Sequence, residues 1–153
     1  MRIRTAVSTL SLVVLGTAMG IAASPQIGSW KLNEAKSKFS GVAKNTLVVY
    51  TEAGDNVKVA IDGIDAEGKA FHSEWTGKFD GKDYAVTGDS SSDTRSYTVL
   101  NANMMGFTTK KGGKAVSSGE IVVAANGKSR TVTSSGTNAK GEKVTQLAVY
   151  DKQ

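Results

Sequence analysis

The stretch Asn56–Phe79, NVKVAIDGIDAEGKAFHSEWTGKF, decides the fold. At its start Val57, Val59 and Ile61 share one face, and Lys58, Ala60 and Asp62 share the other. At its end Phe71, Ser73, Trp75 and Phe79 stand opposite His72, Glu74 and Lys78. A repeat of two is the signature of a strand with one buried face. Between the two runs lies DAEGK (65–69), an acidic and glycine-containing turn that folds the second run back on the first. The stretch therefore reads as an antiparallel hairpin.

The same grammar extends in both directions. Turn signals recur at EAGDN (52–56), FDGKD (79–83), GDSSSD (88–93), NAN (101–103), KKGGK (110–114), AANGK (124–128) and NAKGE (138–142). The segments between them are rich in Val, Ile, Thr and Tyr and give strands at 27–32, 44–52, 56–63, 69–79, 82–88, 94–101, 103–110, 114–124, 128–137 and 142–151. Only NEAKSKF (33–39) has helical composition, and it predicts one short helical turn after the first strand, continuing as a loop to residue 43. The single proline, Pro25, lies outside every strand. A meander of this length with two free edges invites aggregation, and closure removes the edges. A two-sheet sandwich usually needs longer crossovers than these tight links. The expectation is an all-β, antiparallel up-and-down β-barrel of about 8–10 strands.

The first residues set the compartment. Arg2 and Arg4 precede an apolar run densest at Leu10–Leu15, and small residues follow at Ala18, Gly20, Ala22, Ala23 and Ser24. This is the three-part layout of a cleaved signal peptide over 1–24, with 25–153 as a single barrel domain. A membrane anchor fits less well, because Ser11, Gly16 and Thr17 break a run that would have to reach about 20 apolar residues. The protein is expected to be periplasmic or secreted, with no stable membrane insertion after signal removal, and monomeric. It has no cysteine, so the exported chain folds without disulfides. Without Arg2 and Arg4, 17 basic residues remain against 14 acidic ones, a mild net +3. The lysines are scattered over turns instead of striped along a face, which argues against nucleic acid as a partner.

Residues that bear chemistry are few. His72 is the only histidine, and it alternates with Glu74 and Lys78 on the face opposite Phe71 and Trp75, the solvent side. One histidine is too few for a histidine-based zinc site. The acidic clusters Asp62/Asp65/Glu67, Asp80/Asp83 and Asp89/Asp93 sit in turns, where such side chains bond their own backbone; their spacing does not make a calcium loop. No metal and no cofactor is expected. Arg95 and Arg130 are the only arginines after Arg4. Arg95 is in phase with Tyr97 and Val99, and Arg130 with Val132. If Val99 and Val132 face inward so do the arginines, while the alternative inner set on the first of these strands is Thr94, Ser96, Thr98 and Leu100. Inside a barrel such an arginine needs a partner. It is either an anion anchor for a ligand or a rim residue that extends its head to water or to a nearby aspartate.

GSWKLN near the start of 25–153, the meander and the final QLAVYDKQ resemble the calycin superfamily, the lipocalins and fatty-acid-binding proteins. GSWKLNEAKSKFS, FDGKDYAVTGD and GTNAKGEKVTQLAVYDKQ resemble, over the whole of 25–153, a family of small exported bacterial lipocalin-like proteins of unknown function. The resemblance implies that Trp30, in a Gly-x-Trp with Gly28, packs across one end of the barrel. It implies that Gly28 permits close backbone approach while Lys31 points outward. Fatty-acid-binding proteins carry Arg-x-Tyr on the last strand; here Ala148-Val149-Tyr150 keeps the tyrosine and lacks the arginine, so Tyr150 alone is carried over.

The candidate ligand contacts are therefore Arg95, Tyr97, Arg130 and Tyr150, with Gly28 and Trp30 as structural residues. The function expected is binding of a small apolar or amphipathic molecule in the cell envelope. The competing reading is an interaction module whose barrel is filled by side chains. Catalysis is not expected, since no paired carboxylates stand on a strand face and no histidine faces inward.

Overall fold

The computed structural model describes residues 23–153. All but the last two positions of the expected signal segment lie outside the described residues. Ten strands follow in order: β1 (Gly28–Phe39), β2 (Lys44–Ala53), β3 (Asn56–Ile64), β4 (Ala70–Gly77), β5 (Tyr84–Thr87), β6 (Thr94–Asn101), β7 (Met104–Lys111), β8 (Lys114–Val123), β9 (Ser129–Thr137) and β10 (Lys143–Lys152). Each pairs antiparallel with the next, and β10 returns to β1, closing an up-and-down barrel. The alternation in the fold-deciding hairpin holds: Val59, Ile61, Ser73 and Trp75 are buried, and Asp62 and His72 are exposed.

One expectation is corrected. NEAKSKF is not a helical turn, and there is no helix among the described residues. Helical composition loses here to strand pairing. β1 pairs with β10 as far as Asn33↔Val149 and resumes at Lys38↔Leu147, so residues between them form a wide bulge. The bulge satisfies its own polar groups. Asn33 Oδ1 accepts from the Lys36 amide at 3.3 Å, and Ser37 Oγ donates to the Asn33 carbonyl at 2.7 Å. Ser37 Oγ also accepts from the Val149 amide at 2.9 Å, supplying the partner that β1 withdraws from β10.

The barrel has a weak seam. β5 is 4 residues long and meets β4 only at Glu74↔Thr87 and Trp75↔Val86, and β6 only at Tyr84↔Arg95 and Ala85↔Thr94. Gly88 follows it in the left-handed region, φ +78°, with its Cα against the His72 carbonyl, where a Cβ would collide. Past the seam β6 keeps only the isolated Asp80↔Thr98 bridge on that side, and Val99, in phase with Arg95 and Tyr97, is exposed.

The interior is uneven. Aromatic rings crowd the wall of β4 to β7: Tyr97 meets Trp75 edge-on with centroids 4.9 Å apart, and Phe79 lies 5.6 Å from Tyr97. Along β8 to β10 the inward positions carry small side chains such as Ser117, Ser134, Gly136 and Ala148. A large wall facing a small one leaves space between them.

Candidate functional site in the barrel interior

One end of the barrel is closed by Trp30, which has no exposed surface. Its indole Nε1 donates to the Gln26 carbonyl at 2.8 Å, and Lys152 Nζ lies 5.3 Å from the ring centre. Gly28 adopts φ +127°, and a Cβ there would come within 2.8 Å of Lys152 Cε, so the glycine admits the lysine that covers Trp30. Lys31 is exposed.

Above Trp30 sits a cavity of about 620 Å³. Its floor includes Arg130 and Tyr50; its sides include Ile61, Phe107, Ile121 and Val132. Its mouth is formed by the opposite loops, at Ala43, Asp65–Glu67, Gly88–Ser91 and Asn138–Ala139. From Arg130 to Gly136 along β9 is about 20 Å of strand, or about 15 Å of depth once the usual barrel tilt is allowed for. The volume lies within the ordinary range of small-molecule sites, about 300–1,000 Å³.

The structure brings the four sequence-predicted residues Arg95, Tyr97, Arg130 and Tyr150 together on this cavity. Arg130 is 2% exposed, and its guanidinium lies 4.9 Å from the centres of Trp30 and Tyr50 and 5.1 Å from that of Tyr150. Its Nη1 donates to Gln26 Oε1 at 3.2 Å. Among the described residues it forms no ion pair, and its Nε has no hydrogen-bond partner. An orphaned buried donor costs about 1–3 kcal/mol. Each desolvated cation–π contact is worth about 2 kcal/mol. Rings on three sides and Gln26 on one nitrogen are what offset the burial of the Arg130 charge among the described residues.

Arg95 is built differently. Its backbone is pinned where the Trp75 Nε1 donates to its carbonyl at 2.9 Å. Its guanidinium makes loose contacts: Nη1 lies 3.4 Å from the Tyr97 hydroxyl and Nη2 lies 3.9 Å from Asp89 Oδ2. Burial works against its charge, but Tyr97, Tyr50 and Asp89 outweigh burial and raise its pKa. Asp89 has its own partners. Its Oδ1 accepts from the Ser91 amide at 2.8 Å and the Ser91 hydroxyl at 2.6 Å, and its Oδ2 accepts from Ser92 at 2.7 Å. Burial alone would push this carboxyl up, yet those bonds and the charge of Arg95 hold it below the usual carboxylate range.

The tyrosines complete the cluster. Tyr150 donates to the Asn45 carbonyl at 3.0 Å, and burial pushes its hydroxyl up to about 12. Tyr50 lies between the arginines, its ring centre 6.2 Å from that of Tyr97, and burial, then Tyr97, push its hydroxyl well above the usual value. Sequence reasoning missed Tyr50, although its phase with Val48 in LVVY was a usable signal. It also missed Gln26, which precedes the first strand and carries no periodic signal, and it assigned Asp89 only its turn role.

His72 is on the outside, its Nδ1 2.6 Å from Asp62 Oδ1 and its Nε2 3.4 Å from Glu74 Oε1. The hydrogen bond with Asp62, then that with Glu74, raises its pKa. Among the described residues no acidic, histidine or cysteine cluster has the makings of a metal site.

No protein family matches the chain, and no curated protein matches it significantly. Among solved structures it is similar to a redesigned β-barrel, mFAP1, bound to DFHBI (12% identity, 86% of this chain and 98% of that one, TM-score 0.47). It is also similar to the zebrafish ileal bile acid-binding protein complexed with cholic acid (10% identity, 85% of this chain and 100% of that one, TM-score 0.45).

Proposed function

We propose that this protein is an exported binder of a small apolar or amphipathic molecule, carried inside the barrel. The observation that carries the reading is the cavity of about 620 Å³ between the aromatic wall and the small-residue wall, with a few polar groups converging on it. A side-chain-filled interaction module has no use for such a space. Export is supported by the arginine, apolar and small-residue layout of residues 1–24. Binding is preferred to catalysis because no histidine lines the cavity, and the one histidine faces solvent.

A titration of the purified protein with the neutral dye Nile red tests the reading. Saturable one-to-one fluorescence enhancement is expected. Ser134→Phe, which places a ring on the small-residue wall inside the cavity, is expected to abolish the signal while leaving the unfolding midpoint within a few degrees. An unsaturable signal, or one indifferent to Ser134→Phe in a folded variant, overturns it.

A further inference from the structure

Two inward arginines face one cavity, and they are not equivalent. The guanidinium of Arg130 is sealed among Trp30, Tyr50 and Tyr150, with Gln26 on one nitrogen. It supplies positive charge to the floor but offers little free surface. The guanidinium of Arg95 has five N–H donors. Its side-chain contacts among the described residues are a long hydrogen bond of 3.4 Å to Tyr97 and a 3.9 Å approach to Asp89 that is too long for one. It is 7% exposed, and the surface it keeps lines the cavity. Asp89 meanwhile takes its hydrogen bonds from Ser91 and Ser92 of its own loop and none from Arg95. At the mouth the charges oppose one another: Asp65 and Glu67 stand with Lys44 and Lys111, and Lys44 is already paired with Glu34 at 2.9 Å. The interior is left with two guanidinium charges against one carboxylate.

We infer that the ligand is an organic monoanion with an apolar tail, and that Arg95, not Arg130, is the residue its charged head engages. The head takes the donors that Tyr97 and Asp89 leave underused, in charge-assisted hydrogen bonds stronger than neutral ones. The tail lies along the small-residue wall. Asp89, beside the head, repels it and moderates the affinity. Arg130 contributes through its field and by closing the floor. This inference rests on the cavity reading above and adds to it the charge of the ligand and the identity of the anchor.

Three probes with one tail separate the two readings: decanoate, decanol and decyltrimethylammonium, each titrated by displacement of Nile red from the purified protein. The expected order is decanoate tightest, decanol about ten- to a hundredfold weaker, and the cation weakest. Arg95→Met is expected to erase the preference for decanoate and leave decanol within about twofold, because only the charge-assisted bonds are lost. Asp89→Asn keeps an acceptor oxygen for Ser91 and is expected to tighten decanoate severalfold while leaving decanol unchanged. Arg130→Met, if folded, keeps a preference for decanoate. If decanol binds as tightly as decanoate, or if the preference survives Arg95→Met and disappears in Arg130→Met, the inference is overturned and the cavity reading stands. If Nile red binds saturably but none of the three displaces it, the inference falls and the cavity reading stands; if Nile red itself gives no saturable signal, the cavity reading falls and the inference with it.

Discussion

Replacing Trp30 by alanine tests how the barrel end is held. The side chain is fully buried, its Nε1–H is bonded to the Gln26 carbonyl at 2.8 Å, and its ring lies 4.9 Å from the Arg130 guanidinium. Truncating a buried tryptophan costs about 3–5 kcal/mol. Folded domains hold only about 5–15 kcal/mol in total, so the loss is a large fraction of what this one has. With about 2.1 cal/mol/K of unfolding entropy per residue, the midpoint should fall by about 10–20 °C. Trp30→Phe keeps a ring under Arg130 and loses the donor, so it should cost only about 1–2 kcal/mol. Chemical denaturation of the three proteins, followed by Tyr and Trp fluorescence, measures both values. An alanine loss below about 1 kcal/mol would refute the argument that Trp30 closes the barrel. A phenylalanine variant as damaged as the alanine variant would place the energy in the hydrogen bond instead of the ring.

Gly88→Ala should destabilise by about 1–3 kcal/mol, since a Cβ there meets the His72 carbonyl in a left-handed backbone; a denaturation curve that superimposes on wild type would contradict the close approach at the β4–β5 seam. The lone imidazole should titrate above its ordinary 6.5, because Asp62 and then Glu74 favour its charged form. Its stabilising contribution is complete below the ordinary value and is lost as pH rises through the folded-state value; proton NMR of His72 should show the raised midpoint, and Asp62→Asn should lower it. The protein recovered from a cell-envelope fraction should lack residues 1 to about 23 by intact mass; a full-length mass retained in membranes would rule out cleavage.

Much of the strand plan was legible because period-two alternation and glycine turns are local signals. The expected 56–63 and 128–137 differ by a residue at most from β3 and β9. β5 came out shorter than the expected 82–88 because pairing there is limited by neighbours that meet it at only a few positions. NEAKSKF was misread because its composition is local and its fate is not: pairing to β10 across 109 residues of sequence, at Lys38↔Leu147, outweighs helical preference. Phase left two inner sets open on β6; Arg95 and Tyr97 are buried there while Val99, in phase with them, is exposed, and Arg130 is buried on β9. Phase was silent on how each is partnered, since the aromatic cage of Arg130 joins β1, β2 and β10, and the carboxylate near Arg95 comes from a turn. The cavity depends on which strands carry small inward residues once the barrel closes, and no single segment of sequence contains that information.

Native mass spectrometry of the purified protein with decanoate tests the hollow, ligand-carrying barrel most directly. The account predicts a single added molecule per chain at low ratios of decanoate to protein, lost in Ser134→Phe and weakened in Arg95→Met. A spectrum with no adduct, or with a ladder of adducts that Ser134→Phe leaves unchanged, would contradict it.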